Sequence, residues 1–180
     1  GERSDVGLIE NYRLRVVEDD DVRLLFDWRN SLHIRKYMKN TDIIQFENHL
    51  QWFKNCKNKI LRLCLYKDKP IGLIQFDLDA FNGTCEWGFY IGEQAVPPGS
   101  GKIMCSLALD MIFHQVGMRK VCAQVLDYNV KSLSLHKKLC FHEEGRLLQQ
   151  VVRDEKFIDI ILFGLFKETW DREKASLWEV

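Results

Sequence analysis

Apolar and polar positions switch between two periods along the chain, and each switch marks an element. YRLRVV (12–17) alternates and predicts a first strand. Asp19 or Asp20 can then cap a helix running to about Asn30, with Val22, Leu25 and Trp28 turned inward. Phe46, Leu50 and Phe53 follow i, i+4, i+7 spacing and predict a second helix over 45–58. LRLCLY (61–66) and PIGLIQFDL (70–78) flank the polar turn Lys67-Asp68-Lys69 as a hairpin. Asn82-Gly83 supplies a further turn into CEWGFYI (85–91). In that run Cys85, Trp87, Phe89 and Ile91 share one face, and Glu86, Gly88 and Tyr90 the other. A glycine-rich loop (94–101) opens a helix over 101–115, with Ile103, Leu107 and Met111 on one stripe and Gly117 as its stop. KVCAQVL (120–126) predicts a buried strand, KSLSLHKKL (131–139) a short helix, and 145–152 with 156–166 a closing hairpin around Arg153-Asp154.

The resulting order, β-α-α-β-β-β-α-β-α-β-β, excludes an all-parallel doubly wound sheet. It predicts the α+β class, a mixed sheet of about seven strands flanked by about four helices. No linker, repeat or low-complexity stretch divides the chain, so residues 1–180 read as one domain, and the first seven are given no function. The formal net charge is zero, from 26 Lys+Arg against 26 Asp+Glu, so the overall basic field of a nucleic-acid binder is missing. No apolar run reaches the ~18 residues of a membrane span, and the N-terminus has no signal-peptide core, so no membrane partner is expected. The cysteines at 56, 64, 85, 105, 122 and 140 form no C-x-x-C pair, and the histidines form no H-x-x-x-H spacing. Reduced core cysteines, no metal and a cytoplasmic setting are therefore expected.

AVPPGSGKIMCSLALDMIF (95–113) places a G-x-G at the start of a helix, where open amides suit phosphate oxygens. It is neither a Walker loop nor a G-x-G-x-x-G fingerprint. About thirty residues on, NVKSLSLHKKLCF (129–141) follows a strand directly. This pairing of a x-x-G-x-G loop with an N-x-x-S/A-x-x-L-Y/H-x-K-x-x-F box resembles the GNAT superfamily of acetyl-CoA-dependent N-acetyltransferases, and the strand order is similar over nearly the whole chain.

The resemblance implies that Gly99, Ser100, Gly101 and Lys102 hold the coenzyme A pyrophosphate. It implies that the strand edge at Tyr90 and Ile91 pairs with pantetheine, with a backbone N–H near Ile91 polarising the thioester carbonyl. Asn129 and Ser132 match positions that contact the cofactor arm. Val96 stands where the family usually has Gln or Arg, which removes a side-chain contact and leaves the backbone cradle. His136 stands where the family has a tyrosine that protonates the departing thiolate. Imidazole titrates near ~6.5 and could serve as that acid, or could pack between Leu133 and Leu139. Glu86 is the candidate base, directly or through a water. Asp159, between isoleucines, is expected to be tied to Arg146 or a backbone amide rather than catalytic.

LLFDWRNSLHIRKYMKNTDIIQFENHLQWF (24–53) and the EEGRL…FIDIIL run (143–162) resemble one branch of that superfamily, the UDP-4-amino-sugar N-acetyltransferases of pseudaminic acid biosynthesis. The implied acceptor residues are Arg29 and Arg146 as cations and Trp52 as a ring for an anionic uridine nucleotide, with Asn30 and His49 to hydrogen-bond sugar hydroxyls or the N-acetyl group. The expected reaction is direct acetyl transfer, in a ternary complex, to the 4-amino group of a UDP-linked 4-amino-4,6-dideoxy sugar. Acetylation of a protein N-terminus or ribosomal protein, and an acyl-CoA-binding regulator without catalysis, stand as alternatives. A homodimer is a possible assembly.

Overall fold

The computed structural model of the chain describes residues 9–38 and 58–178. Seven strands form one mixed sheet in the order β1-β2-β3-β4-β5-β7-β6. They are β1 (Tyr12–Val16), β2 (Lys59–Tyr66), β3 (Lys69–Asp79), β4 (Thr84–Ile91), β5 (Lys120–Leu126), β6 (His142–Arg153) and β7 (Lys156–Phe166). Every neighbouring pair is antiparallel except β4 with β5. Among the described residues five α-helices accompany them: α1 (Val22–Asn30), α2 (Leu32–Arg35), α3 (Ser100–Asp110), α4 (Val130–Lys138) and α5 (Lys167–Glu173). The helix expected over 45–58 lies almost wholly outside the described residues.

Both hairpin turns differ from expectation by one residue. Tyr66 pairs with Lys69 and Arg153 with Lys156, which leaves the two-residue loops Lys67-Asp68 and Asp154-Glu155. All four loop residues have positive φ, the conformation whose twist matches that of paired strands. The helix before α1 is capped from an unexpected residue. Glu18 precedes a 3-10 turn over Asp19–Asp21, and its N–H donates to the Asp21 carboxylate at 2.8 Å. A further π-turn, Met111–Val116, extends α3 to Gly117.

The sheet buries apolar side chains on both faces. On one, Phe76, Cys85 and Trp87 pack with Ile103, Met104, Leu109 and Phe113 of the α3 segment and with Phe163 and Trp170. On the other, Leu63, Leu65 and Leu73 receive Leu25 and Trp28 of α1. The alternation read in β4 holds, since Cys85 and Trp87 face the α3 side and Tyr90 packs on the α1 side. Helix α5 has no counterpart among the expected elements. KETWDRE carries a single apolar anchor, Trp170, whose indole N–H donates to Asp110 at 2.8 Å. Cys64, Cys85 and Cys105 are buried thiols, and burial pushes the first two up to about 12. No helix among the described residues is long and apolar enough to cross a membrane.

Candidate active site

The parallel pair β4–β5 is joined only from Thr84–Glu86 to Lys120–Cys122. Both strands run on, β4 to Ile91 and β5 to Leu126, but apart. The gap opens a cleft of about 1300 Å³, lined by β4, β5, the loop into α3, the start of α4 and the α1–α2 segment. Gly92 N–H donates to Ile71 O at 2.7 Å, on the β3 side. By the alternation of a strand's hydrogen-bonding groups, the Tyr90 N–H also turns to β3, while those of Phe89 and Ile91 turn into the gap. The expected role of Ile91 thus has a geometric basis. Tyr90 is placed differently. Its ring meets Trp28 edge-on at 6.2 Å on the α1 side, and burial raises its hydroxyl pKa while Arg29 opposes the rise.

At one end of the cleft, Gly99 takes φ 87°, a left-handed conformation, so that α3 can begin at Ser100. Among the described atoms, a Cβ on Gly101 would meet only Leu135 Cδ2, at 3.8 Å. Ser100 is a structural residue here. Its hydroxyl donates to Pro97 O at 2.7 Å and lies 2.6 Å from the Tyr12 hydroxyl, and its N–H donates to Pro97 O. That leaves Gly101 and Lys102 with first-turn amides that have no acceptor within their helix. The Lys102 ammonium sits 4.5 Å from the Trp178 ring centre, so the counter-charge expected from it is directed elsewhere. Lys131, which no motif singles out, lines the cleft instead, in the first turn of α4. Asn129 caps that helix, accepting from Ser132 N–H at 3.3 Å, and both line the cleft, as does Val96.

The other end is walled by Arg29, His33, Tyr37 and Met38, with Gln75, Gly88 and Gln124 on the sheet. Trp28 is core, as expected of its stripe. Its indole N–H donates to Glu93 at 3.0 Å, and the ring lies so close to Gly92 that a Cβ there would come within 2.1 Å. His33 Nε2 lies 3.1 Å from Gly92 O, a second tie between this segment and the end of β4. Arg29 is half-buried, and its pKa is lowered by burial and by Arg35, with Tyr90 opposing. Asn30 ends α1 outside the cleft lining, and His49 and Trp52 lie outside the described residues. Arg146 is not in the cleft. Its guanidinium donates to Asp159 at 2.6 Å, and Asp159 also accepts the Gln149 N–H at 2.7 Å. The pairing expected for Asp159 is therefore present, and it occupies the arginine expected to bind acceptor.

The two catalytic expectations fare differently from the cleft around them. His136 is 2% exposed, among Trp87, Phe89, Phe141 and Phe163. Trp87 Nε1–H donates to its Nε2 at 3.1 Å, and its Nδ1 lies 2.7 Å from Ser132 O. That arrangement fits the neutral ring with its proton on Nδ1. An imidazolium would set a second N–H against the indole N–H. Burial lowers the pKa to about 4, against a weaker raising effect of the Ser132 carbonyl. His136 lines the cleft, and its two hydrogen bonds and burial favour a neutral, packed ring over the acid expected of it. Glu86 does face the α1 side, but it stands where β4 is paired on both edges, to Asp77 and Cys122. It lies below the point where the strands part and outside the cleft lining.

Over residues 11–142 the chain matches the family described as acetyltransferase (GNAT) domain. It belongs to that family. Similar proteins include the SPbeta prophage-derived uncharacterized N-acetyltransferase YokL of Bacillus subtilis, 28% identical over 90% of this chain and 93% of that protein. The acetyltransferase PseH of Campylobacter jejuni is 28% identical over 68% of this chain and 77% of its own length. Among solved structures, the spermidine N-acetyltransferase of Vibrio cholerae, in complex with CoA and spermine, superposes with a TM-score of 0.83. At 18% identity, covering 89% of this chain and 98% of that one, the likeness is one of fold. The chain is thus a GNAT N-acetyltransferase, and acetyl-CoA is its acetyl donor. The cleft fits that donor. It offers an open first-turn amide at Gly101, an ammonium at Lys131 and the strand edge at Phe89 and Ile91. Among the described residues no cluster of side chains could hold a metal ion.

Proposed function

We propose that this enzyme acetylates the 4-amino group of a UDP-linked 4-amino-4,6-dideoxy sugar. The observation that carries the reading is the charge of the acceptor wall. Arg29 lines the cleft half-buried, and Arg35 stands near enough to lower its pKa further. Two neighbouring guanidinium groups at this wall attract an anionic diphosphate and repel a polyamine. The resemblance of 24–53 and 143–162 to the UDP-4-amino-sugar branch points the same way, as does the likeness to PseH over two thirds of the chain.

The acetyl group enters as a thioester held along the β4 edge, with the inward N–H of Ile91 against its carbonyl oxygen. The neutral amine attacks that carbonyl directly, the tetrahedral intermediate collapses with cleavage of the C–S bond, and the proton lost from nitrogen passes through water to the departing CoA thiolate. An amine on a sugar ring is less basic than that of lysine (~10.4), so a neutral fraction is present without a strong base in contact. The test is CoA release over a panel of amines: UDP-4-amino sugars, spermidine, and a peptide with a free N-terminus. The UDP-4-amino sugars should give the highest kcat/KM. Preference for spermidine or the peptide would overturn the reading.

A further inference from the structure

Glycine in the middle of a strand weakens it, because it forfeits side-chain packing and loses the most backbone freedom on folding. Four described strand glycines invite an explanation: Gly72, Gly88, Gly145 and Gly164. Gly72 is forced, since a Cβ there would lie 2.7 Å from Tyr90 O and 2.9 Å from Met104 Sδ. At Gly164 a Cβ would come within 2.5 Å of the Glu144 carboxylate, and at Gly145 Leu162 is in ordinary contact. Gly88 is the exception. A Cβ there meets no described atom within 4 Å, and its backbone is not in the left-handed region. Neither conformation nor packing among the described residues asks for glycine at this place.

Its location does. Gly88 shares its face with Tyr90, on the α1 side, two residues past the last β4–β5 pair. In the β3–β4 ladder it stands opposite Gln75. Advancing the Glu86–Cys122 register by two residues brings Gln124 beside it across the gap. All three positions line the cleft. The sheet thus presents bare backbone between two side-chain amides, below Tyr90 and the Arg29 wall.

We propose that Gly88 is the floor of the acceptor subsite and sets its size. The ring bearing the amine lies flat on this glycine, and the amides of Gln75 and Gln124 hydrogen-bond its polar substituents. Two amides with donors and acceptors suit the hydroxyl and N-acetyl groups of a pyranose, and a bare floor admits a ring where a methyl group would hold it off the thioester. This rests on the acceptor reading above and adds the residues that discriminate a ring-borne amine from a slim linear one.

The test uses Gly88→Ala and Gly88→Val in the full chain, with a UDP-4-amino-4,6-dideoxy sugar and spermidine as acceptors. Gly88→Ala should keep or raise the thermal midpoint, by about 1–3 °C, because alanine costs less chain entropy and meets no described atom. Acetyl-CoA affinity by calorimetry should stay within about twofold, while kcat/KM for the UDP-amino sugar falls at least about tenfold, more in Gly88→Val. An unchanged kcat/KM in the folded alanine variant overturns the proposal. So does a parallel loss of acetyl-CoA affinity, which would give Gly88 to the donor. If the parent turns over spermidine and no UDP-amino sugar, the acceptor reading falls by itself. Loss of spermidine turnover in Gly88→Ala, with acetyl-CoA affinity intact, would then keep Gly88 under the acceptor and overturn its selectivity for a ring, and unchanged turnover would overturn both.

Discussion

Acid should destabilise this protein through His136, and the size of the effect follows from its surroundings. The ring is buried, accepts from the Trp87 indole and is held near pKa 4 against an ordinary 6.5. In the unfolded chain it takes up a proton as pH falls through about 6.5; in the native state it does not until about 4. Between those values the unfolded state binds more protons, so stability falls as pH falls, and the contribution levels off below the folded pKa. Each pH unit between the two pKa values is worth about 1.4 kcal/mol, so the full span removes roughly 3 kcal/mol. His136→Gln isolates this contribution, because glutamine does not titrate and its carbonyl can still accept from Trp87. At pH 7 the variant should be less stable by about 1–3 kcal/mol from imperfect packing and hydrogen bonding. Urea denaturation of both proteins from pH 7 to 4 should show the parent losing its advantage by roughly 3 kcal/mol. A gap that stays constant over that range would refute the picture of a neutral, buried ring.

Two further substitutions probe the two ends of the cleft. Gly101→Val puts a branched side chain at the amides assigned to the donor's phosphates, where the nearest described side-chain atom is 3.8 Å from Cβ, so the fold should survive. Acetyl-CoA affinity measured by calorimetry should fall at least about tenfold, and an unchanged affinity would detach the loop from the donor. Gly92→Ala drives a methyl group to 2.1 Å from the Trp28 ring, which Glu93 holds by its indole N–H. The urea midpoint should report a loss of about 3 kcal/mol, and a loss under about 1 kcal/mol would mean the ring has room to move.

What could be read from the chain alone was what depends on local period and local chemistry. The β4 alternation and the glycine start of α3 each sit within a few residues of their cause, and each is present. The Asp159 pairing was also legible, because a carboxylate among isoleucines needs a partner. What misled was tertiary. Two lysines stand near helix starts, and only the position of Trp178, far along the chain, directs Lys102 away and leaves Lys131 in the cleft. Arg146 carried two expectations, ion-pair partner of Asp159 and acceptor ligand, and the ion pair is the one present. His136 at a matched position could as well have been an acid as a packed ring. Four aromatic residues from two strands and the turn before β6 favour the packed ring, and of these only Phe141 is near it in sequence.

The central claim is that the α1 side of the cleft binds an anionic acceptor through Arg29, independently of the donor. Calorimetry on the parent and on Arg29→Ala, with a UDP-4-amino sugar and with acetyl-CoA titrated separately, tests it most directly. The nucleotide sugar should bind at least about tenfold more weakly to the variant, with acetyl-CoA affinity unchanged. Equal weakening of both ligands, or unaltered sugar-nucleotide binding, would contradict the account.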